Sequence, residues 1–219
     1  MAMTPLQIVL GLAVVSALLL AVEDRRLSIV PLLVQYVLVS LLLGPQFLRP
    51  ITFVRIGLGI VICLTLHITA RHVQRELKGL ATLFSSEAPA WRAPLEPAWR
   101  AISLAGTGPA FRLMVVFLGG LLAYGVWRTY PLVDMPREIN LAGYWLICLG
   151  LLMILTSMEP LRIGFGLLTM INGLESLYLF RERSLLVLGL LGIVDLIIAL
   201  GIAICAESWL ESLKEESAA

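Results

Sequence analysis

Residues 159–207 read EPLRIGFGLLTMINGLESLYLFRERSLLVLGLLGIVDLIIALGIAICAE. Two apolar runs, 160–180 and 185–206, flank the polar turn Arg181-Glu182-Arg183-Ser184. Each run is about twenty residues long, the length an α-helix needs to cross a hydrocarbon layer of about 30 Å. The first run contains Arg162, Asn172 and Glu175, and the second holds Asp195 among Leu, Ile, Val and Gly. A carboxylate at mid-span costs roughly 2.5–3.5 kcal/mol even on lenient insertion scales, so it faces protein or water and marks a candidate proton or ion path. Asp195 is therefore the residue around which a function is to be sought.

The rest of the chain has the same character. Of 219 residues, 59% are hydrophobic and 14% charged, with a mean hydropathy of +0.95. A soluble core of this size cannot hide so much apolar surface, whereas lipid accepts it if every backbone group is satisfied inside helices. Barrel strands alternate apolar and polar residues over about ten positions, and the runs here are continuous. The fold class is all-α, a polytopic integral membrane protein of about seven transmembrane helices. A net charge of +1 points to neither nucleic acid nor an acidic partner. Cys63, Cys148 and Cys205 sit singly in apolar runs without a Cys-x-x-Cys pair or a nearby His, and read as packing residues. No metal or cofactor is expected.

Going outward from the hairpin, spans are expected at 5–22, 29–48, 51–70, 110–127 and 139–158, before 160–180 and 185–206. The first run has no basic residues ahead of it and no small-residue cleavage pattern after it, so it reads as a retained span. Residues 1–78 thus form three transmembrane helices, 79–109 a connector, 110–206 four more helices and 207–219 a polar tail. The connector repeats Pro-Ala-Trp-Arg-Ala at 89–93 and 97–101. Trp beside Arg suits the headgroup layer, so Trp91, Arg92, Trp99 and Arg100 are candidates for docking a partner. They also read as interfacial residues of a Pro-rich loop, the commoner role of such segments.

Lys and Arg set the orientation. One side collects Arg25, Arg26, Arg71, Arg75, Lys78, Arg92, Arg100, Arg112, Arg162 and Lys214; the other has Arg49, Arg128, Arg137, Arg181 and Arg183. The N-terminus is expected outside and the connector and C-terminus in the cytoplasm, in a multi-pass protein of the plasma (inner) membrane.

The remaining ionisable groups have two readings each. Arg55 and His67 lie near opposite ends of one span, where Arg snorkels and His meets headgroups or water, or they extend a polar path. Glu175 either pairs with Arg181 or Arg183 at the outer surface or acts inside the bundle. Asp195 is too short to snorkel; it hydrogen-bonds a neighbouring helix through Asn172 or Gln35, or it carries protons. Gly164, Gly166, Gly173, Gly189 and Gly192 are expected to let the last two helices approach closely.

The run Phe165-Gly166-Leu167-Leu168-Thr169-Met170-Ile171-Asn172-Gly173, followed by an acid in the next span, resembles the membrane component E of hydrogenase-4 and formate hydrogenlyase-type complexes. It is more distantly similar to the K subunit of respiratory complex I and of multisubunit cation/proton antiporters. Arg26-Leu27-Ser28, Gln35, Val37-Leu38-Val39-Ser40 and Phe53-Val54-Arg55 extend the resemblance. It implies a non-catalytic membrane subunit between a redox arm and antiporter-like subunits, with helix-borne carboxylates on a proton path. Asp195 matches the later acid. The earlier acid does not match: K-type Gly-Leu-Glu is Gly166-Leu167-Leu168 here, and Ile171 replaces the component E Glu before Asn-Gly. Glu175 follows these positions by i+7 and i+4, on roughly the same helix face, as a displaced substitute. A structural anchor whose acids tolerate neutral replacement is the first alternative, and a small-molecule transporter the second, although internal duplication of the kind that builds alternating-access sites is missing. No enzyme motif is found.

Overall fold

A computed structural model describes residues 5–22, 27–44, 49–87, 109–132, 135–157, 159–181 and 184–218. The described residues form seven helices and no strand: α1 (Pro5–Ala21), α2 (Ile29–Leu43), α3 (Arg49–Glu87), α4 (Pro109–Thr129), α5 (Arg137–Thr156), α6 (Pro160–Arg181) and α7 (Leu185–Ala218). Five of them, α3 to α7, are long and apolar enough to cross a membrane. The apolar α1 and α2 have 17 and 15 residues, about 26 and 23 Å at 1.5 Å per residue. Large apolar side chains such as Phe53, Ile68, Phe117, Leu155 and Leu186 are exposed on the outer faces, as suits a bundle with hydrocarbon around it.

Two helices outrun their apolar runs. The helix expected to end near Ala70 continues to Glu87, so the first part of the expected connector is helical. The expected polar tail is likewise the last part of α7, helical to Ala218. Residues 88–108, with Trp91, Arg92, Trp99 and Arg100, lie outside the described residues.

Two seams organise the bundle. On α3 one row of buried positions is Arg55, Gly59, Ile62, Leu66, Ala70 and Val73, and on α7 Leu188, Gly192, Asp195, Ala199, Ile202, Ala206 and Leu210. Both follow the alternating three- and four-residue steps that keep one face of a helix on its neighbour. A Cβ on Gly192 would meet Leu58, and Val73 and Ala206 line one small cavity. The two helices are therefore parallel, with α3 positions facing α7 positions about 134 further on.

The second seam is antiparallel. A Cβ on Gly150 would lie 2.6 Å from Gly166 O, and one on Gly173 would lie 2.9 Å from Gly143 O. Glycine pairs seven residues apart on α5 and α6 thus bring two backbones into contact. This corrects the expected role of four of the five glycines; Gly164 alone lies between the last two helices. Gly166 and Gly173 face α5, Gly164 faces Ile202 of α7, Gly192 faces α3, and Gly189 has nothing within 4 Å.

At one end of the bundle, Arg112 Nη1 donates to Ala21 O (3.0 Å) and Arg162 Nη2 to Val22 O (3.2 Å). Cations placed on the last carbonyls of α1 complement its dipole. Midway along, Trp145 Nε1 of α5 donates to Ser16 Oγ of α1 (2.8 Å).

Candidate buried ionisable cluster

Helix α6 is the most enclosed of the five spans, with 56% of its apolar window buried. Thr169, Asn172 and Glu175 follow at three-residue steps and all are buried. Such steps stack side chains along one side of a helix, and here that side meets a cation. Arg55 Nη2 of α3 donates to Asn172 Oδ1 at 2.7 Å and to Glu175 Oε2 at 3.2 Å. The guanidinium and the carboxylate are 4% and 6% exposed, so the ion pair is enclosed by protein. Arg55 does not snorkel, and Glu175 pairs across the bundle instead of with Arg181.

Asp195, 0% exposed, lies in the α3–α7 seam. Its partner is Tyr36 of α2, whose hydroxyl donates to Asp195 Oδ2 at 3.2 Å. The expected hydrogen bond from Asn172 or Gln35 is replaced by this phenol. Tyr36 reaches α7 because Gly59 of α3 has no side chain: a Cβ there would lie 2.9 Å from Tyr36 Cβ. In the parallel register Arg55 lies level with position 189, six residues before Asp195, an axial offset of about 9 Å. Tyr36, which hydrogen-bonds Asp195, packs against Gly59 one turn beyond Arg55, so the two hydrogen-bonded groups are neighbours along α3.

Polar capacity around the cluster exceeds what the described side chains satisfy. Asp195 Oδ1, both amide atoms of Gln35, Asn172 Nδ2, Thr169 Oγ1, and Arg55 Nε and Nη1 are buried without a partner. Buried polar groups are paired in the great majority of cases, and a concentration of unmatched ones around two acids and a cation fits a place where protons or water enter.

Of the expected residues, Arg55, Asn172 and Glu175 share one hydrogen-bonded group and Asp195 pairs with Tyr36 in a second. Gln35 is fully buried beside Tyr36 on α2. His67 is half-buried on α3, twelve residues and about 18 Å beyond Arg55, and stands apart. Sequence reasoning missed Tyr36; the available signal was a phenol in mid-run next to Gln35, since a buried tyrosine hydroxyl normally finds a partner. Among the described residues no group of three or more His, Cys, Asp or Glu side chains could hold a metal ion. At the opposite end a cavity of about 20 Å³, lined by Leu20, Arg112, Met153, Ser157 and Arg162, has room for little more than one water.

Comparison of the chain with family models, curated proteins and solved structures gives no match to any of them.

Proposed function

We propose that this protein is a non-catalytic subunit of a redox-linked, proton- or ion-translocating membrane complex of the hydrogenase-4 or complex I type. It spans the plasma membrane seven times with the N-terminus outside, and contributes Asp195 to an intramembrane proton path. The observation that carries this reading is the burial, on four helices, of two neighbouring hydrogen-bonded groups, Tyr36–Asp195 and Arg55–Asn172–Glu175. A bundle held only by packing needs no such group, since replacing a buried ion pair by apolar residues is often neutral or stabilising. Glu175 takes the place of the acid missing from Leu168 and Ile171. Antiporter-like and redox-arm subunits are the partners, and their turnover changes the charge near Asp195 and moves its proton.

Isolation from native membranes with partners identified by mass tests the assignment. In the assembled complex, Asp195→Asn is expected to uncouple electron transfer from proton movement; full coupling in that variant removes Asp195 from the path. Cysteine labelling from each side of the membrane tests the orientation.

One observation favours the anchor reading. At 39 and 34 residues, about 58 and 51 Å, α3 and α7 exceed a hydrocarbon layer of about 30 Å, and Val73 of α3 lines one small cavity with Ala206 and Trp209 of α7. Helices that outrun the bilayer suit docking. Retained coupling together with lost assembly on shortening α7 selects the anchor.

A further inference from the structure

The cluster contains an odd number of charges. An arginine guanidinium is a permanent cation in proteins, and two carboxyl groups, Glu175 and Asp195, accompany the one on Arg55. If both acids are ionised, the cluster holds a net charge of −1 among side chains at most 6% exposed, which a low-dielectric interior opposes. One added proton makes it neutral.

The hydrogen bonds say where that proton goes. Glu175 Oε2 accepts from the guanidinium, which Asn172 also holds, so its charge is matched by contact. Asp195 accepts only from Tyr36, an uncharged donor, and its Oδ1 has no partner. Tyr36 of α2 is the titratable group bonded to Asp195, and the nearest charged groups along the seam are Arg55 of α3, one turn from the Gly59 that Tyr36 packs on, and its partner Glu175 of α6.

We infer that the cluster holds one exchangeable proton, carried by Asp195, while Arg55 fixes the number at one by keeping Glu175 ionised. Release breaks the O–H bond at Asp195 Oδ1 and hands the proton to a water molecule. The carboxylate left behind keeps the hydrogen bond from Tyr36, whose own proton does not move, and the cluster passes from neutral to −1. Uptake is the reverse. The inference deepens the proton-path reading and takes from it the purpose of the exchange, but the proton count is a property of the purified chain alone.

Infrared difference spectroscopy of the full chain in lipid vesicles, in H₂O and D₂O near neutral pH, tests it. Ordinary carboxyl groups, with pKa values of about 3.9–4.3, are ionised there and contribute no protonated-carboxyl carbonyl band. The wild-type protein is expected to show one such band. Asp195→Asn removes it. Glu175→Gln also removes it, because Asp195 then ionises as the counter-ion of Arg55. Arg55→Gln doubles the band, and Arg55→Lys, which keeps the charge and is the milder change for folding, leaves it single. Tyr36→Phe shifts the band to higher frequency, since its carboxyl loses a hydrogen bond. The inference is overturned if the wild type has no band, if the band survives in Glu175→Gln, or if Tyr36→Phe leaves its frequency unchanged, which puts the proton on Glu175. Replacing potassium by sodium in the buffer is expected to leave the band intact; its loss assigns the site to a metal cation instead. The expected bands with unimpaired coupling in Asp195→Asn leave the proton count standing and sink the proton-path reading, and a missing band with lost coupling does the reverse.

Discussion

Glu175 and Asp195 are not hydrogen-bonded to each other, yet their neutral replacements are expected to interact strongly in stability. In Glu175→Gln, Arg55 loses one charge-assisted hydrogen bond, worth about 1.5–3 kcal/mol, but Asp195 ionises and balances the guanidinium. In Asp195→Asn, Arg55 and Glu175 remain paired at 3.2 Å and the amide can still accept from Tyr36, so the cost stays below about 1.5 kcal/mol. Only the double variant leaves the guanidinium without any carboxylate. The energy at stake is the Arg55–Asp195 attraction, which for a separation of the order of their axial offset, about 9 Å, and an effective dielectric constant near 20 is about 2 kcal/mol. The double variant should therefore be less stable than the sum of the single changes by about 2 kcal/mol. Reversible unfolding in mixed micelles, monitored by helical circular dichroism at neutral pH, gives the three differences. Additivity within about 0.5 kcal/mol, the usual result for independent sites, would refute the claim that both acids serve one cation.

Tyr36→Phe should destabilise by about 1–3 kcal/mol in the same assay, because it leaves both oxygens of buried Asp195 without a donor while the ring still packs against Gly59. Gly150→Ala should cost about 1–3 kcal/mol, since its Cβ would meet the backbone at Met170 N and Gly166 O, 2.5 and 2.6 Å away. Gly189→Ala has no atom within 4 Å of the added methyl and should change the unfolding midpoint by no more than about 0.5 kcal/mol. Arg112→Gln should speed hydrogen exchange in the last turn of α1, whose terminal carbonyl at Ala21 it reaches; a cation at a helix C-terminus contributes about 0.3–1 kcal/mol, rising to about 2 when partly buried.

The helices were legible in the sequence because lipid demands long apolar runs, and the runs are there. Their ends were less so. Hydropathy marks where hydrocarbon stops, whereas a helix stops where its backbone loses partners, and nothing in 71–87 or 207–218 prevents the ladder from continuing. The acids, Arg55 and Asn172 were each legible as costly groups in lipid. Their meeting was not, because the bonds that join them span 117, 120 and 159 positions, beyond the reach of any helical periodicity.

The glycine error shows how the fold makes the site. Gly143 and Gly150, like Gly166 and Gly173, are seven apart, and this matched spacing forms the backbone-to-backbone seam between α5 and α6. At 100° per residue, Asn172 lies 100° from Gly173 and Glu175 about 160° from it. When the glycine face of α6 closes on α5, its amide and acid are turned away, toward α2 and α3. On α3 the same economy recurs: Gly59 lies one turn beyond Arg55 and admits Tyr36, which then reaches Asp195. Small residues on one side of each helix thus decide which polar residues on the other side can meet, so a glycine substitution far from any charge should move the cluster. Gly173→Ala, whose Cβ would meet Gly143 O at 2.9 Å, should push α6 toward α3 and shift the Asp195 carbonyl band, although Gly173 touches neither Arg55 nor Asp195. An unmoved band in a folded Gly173→Ala variant would show that the cluster is positioned by its own hydrogen bonds and not by the packing behind it.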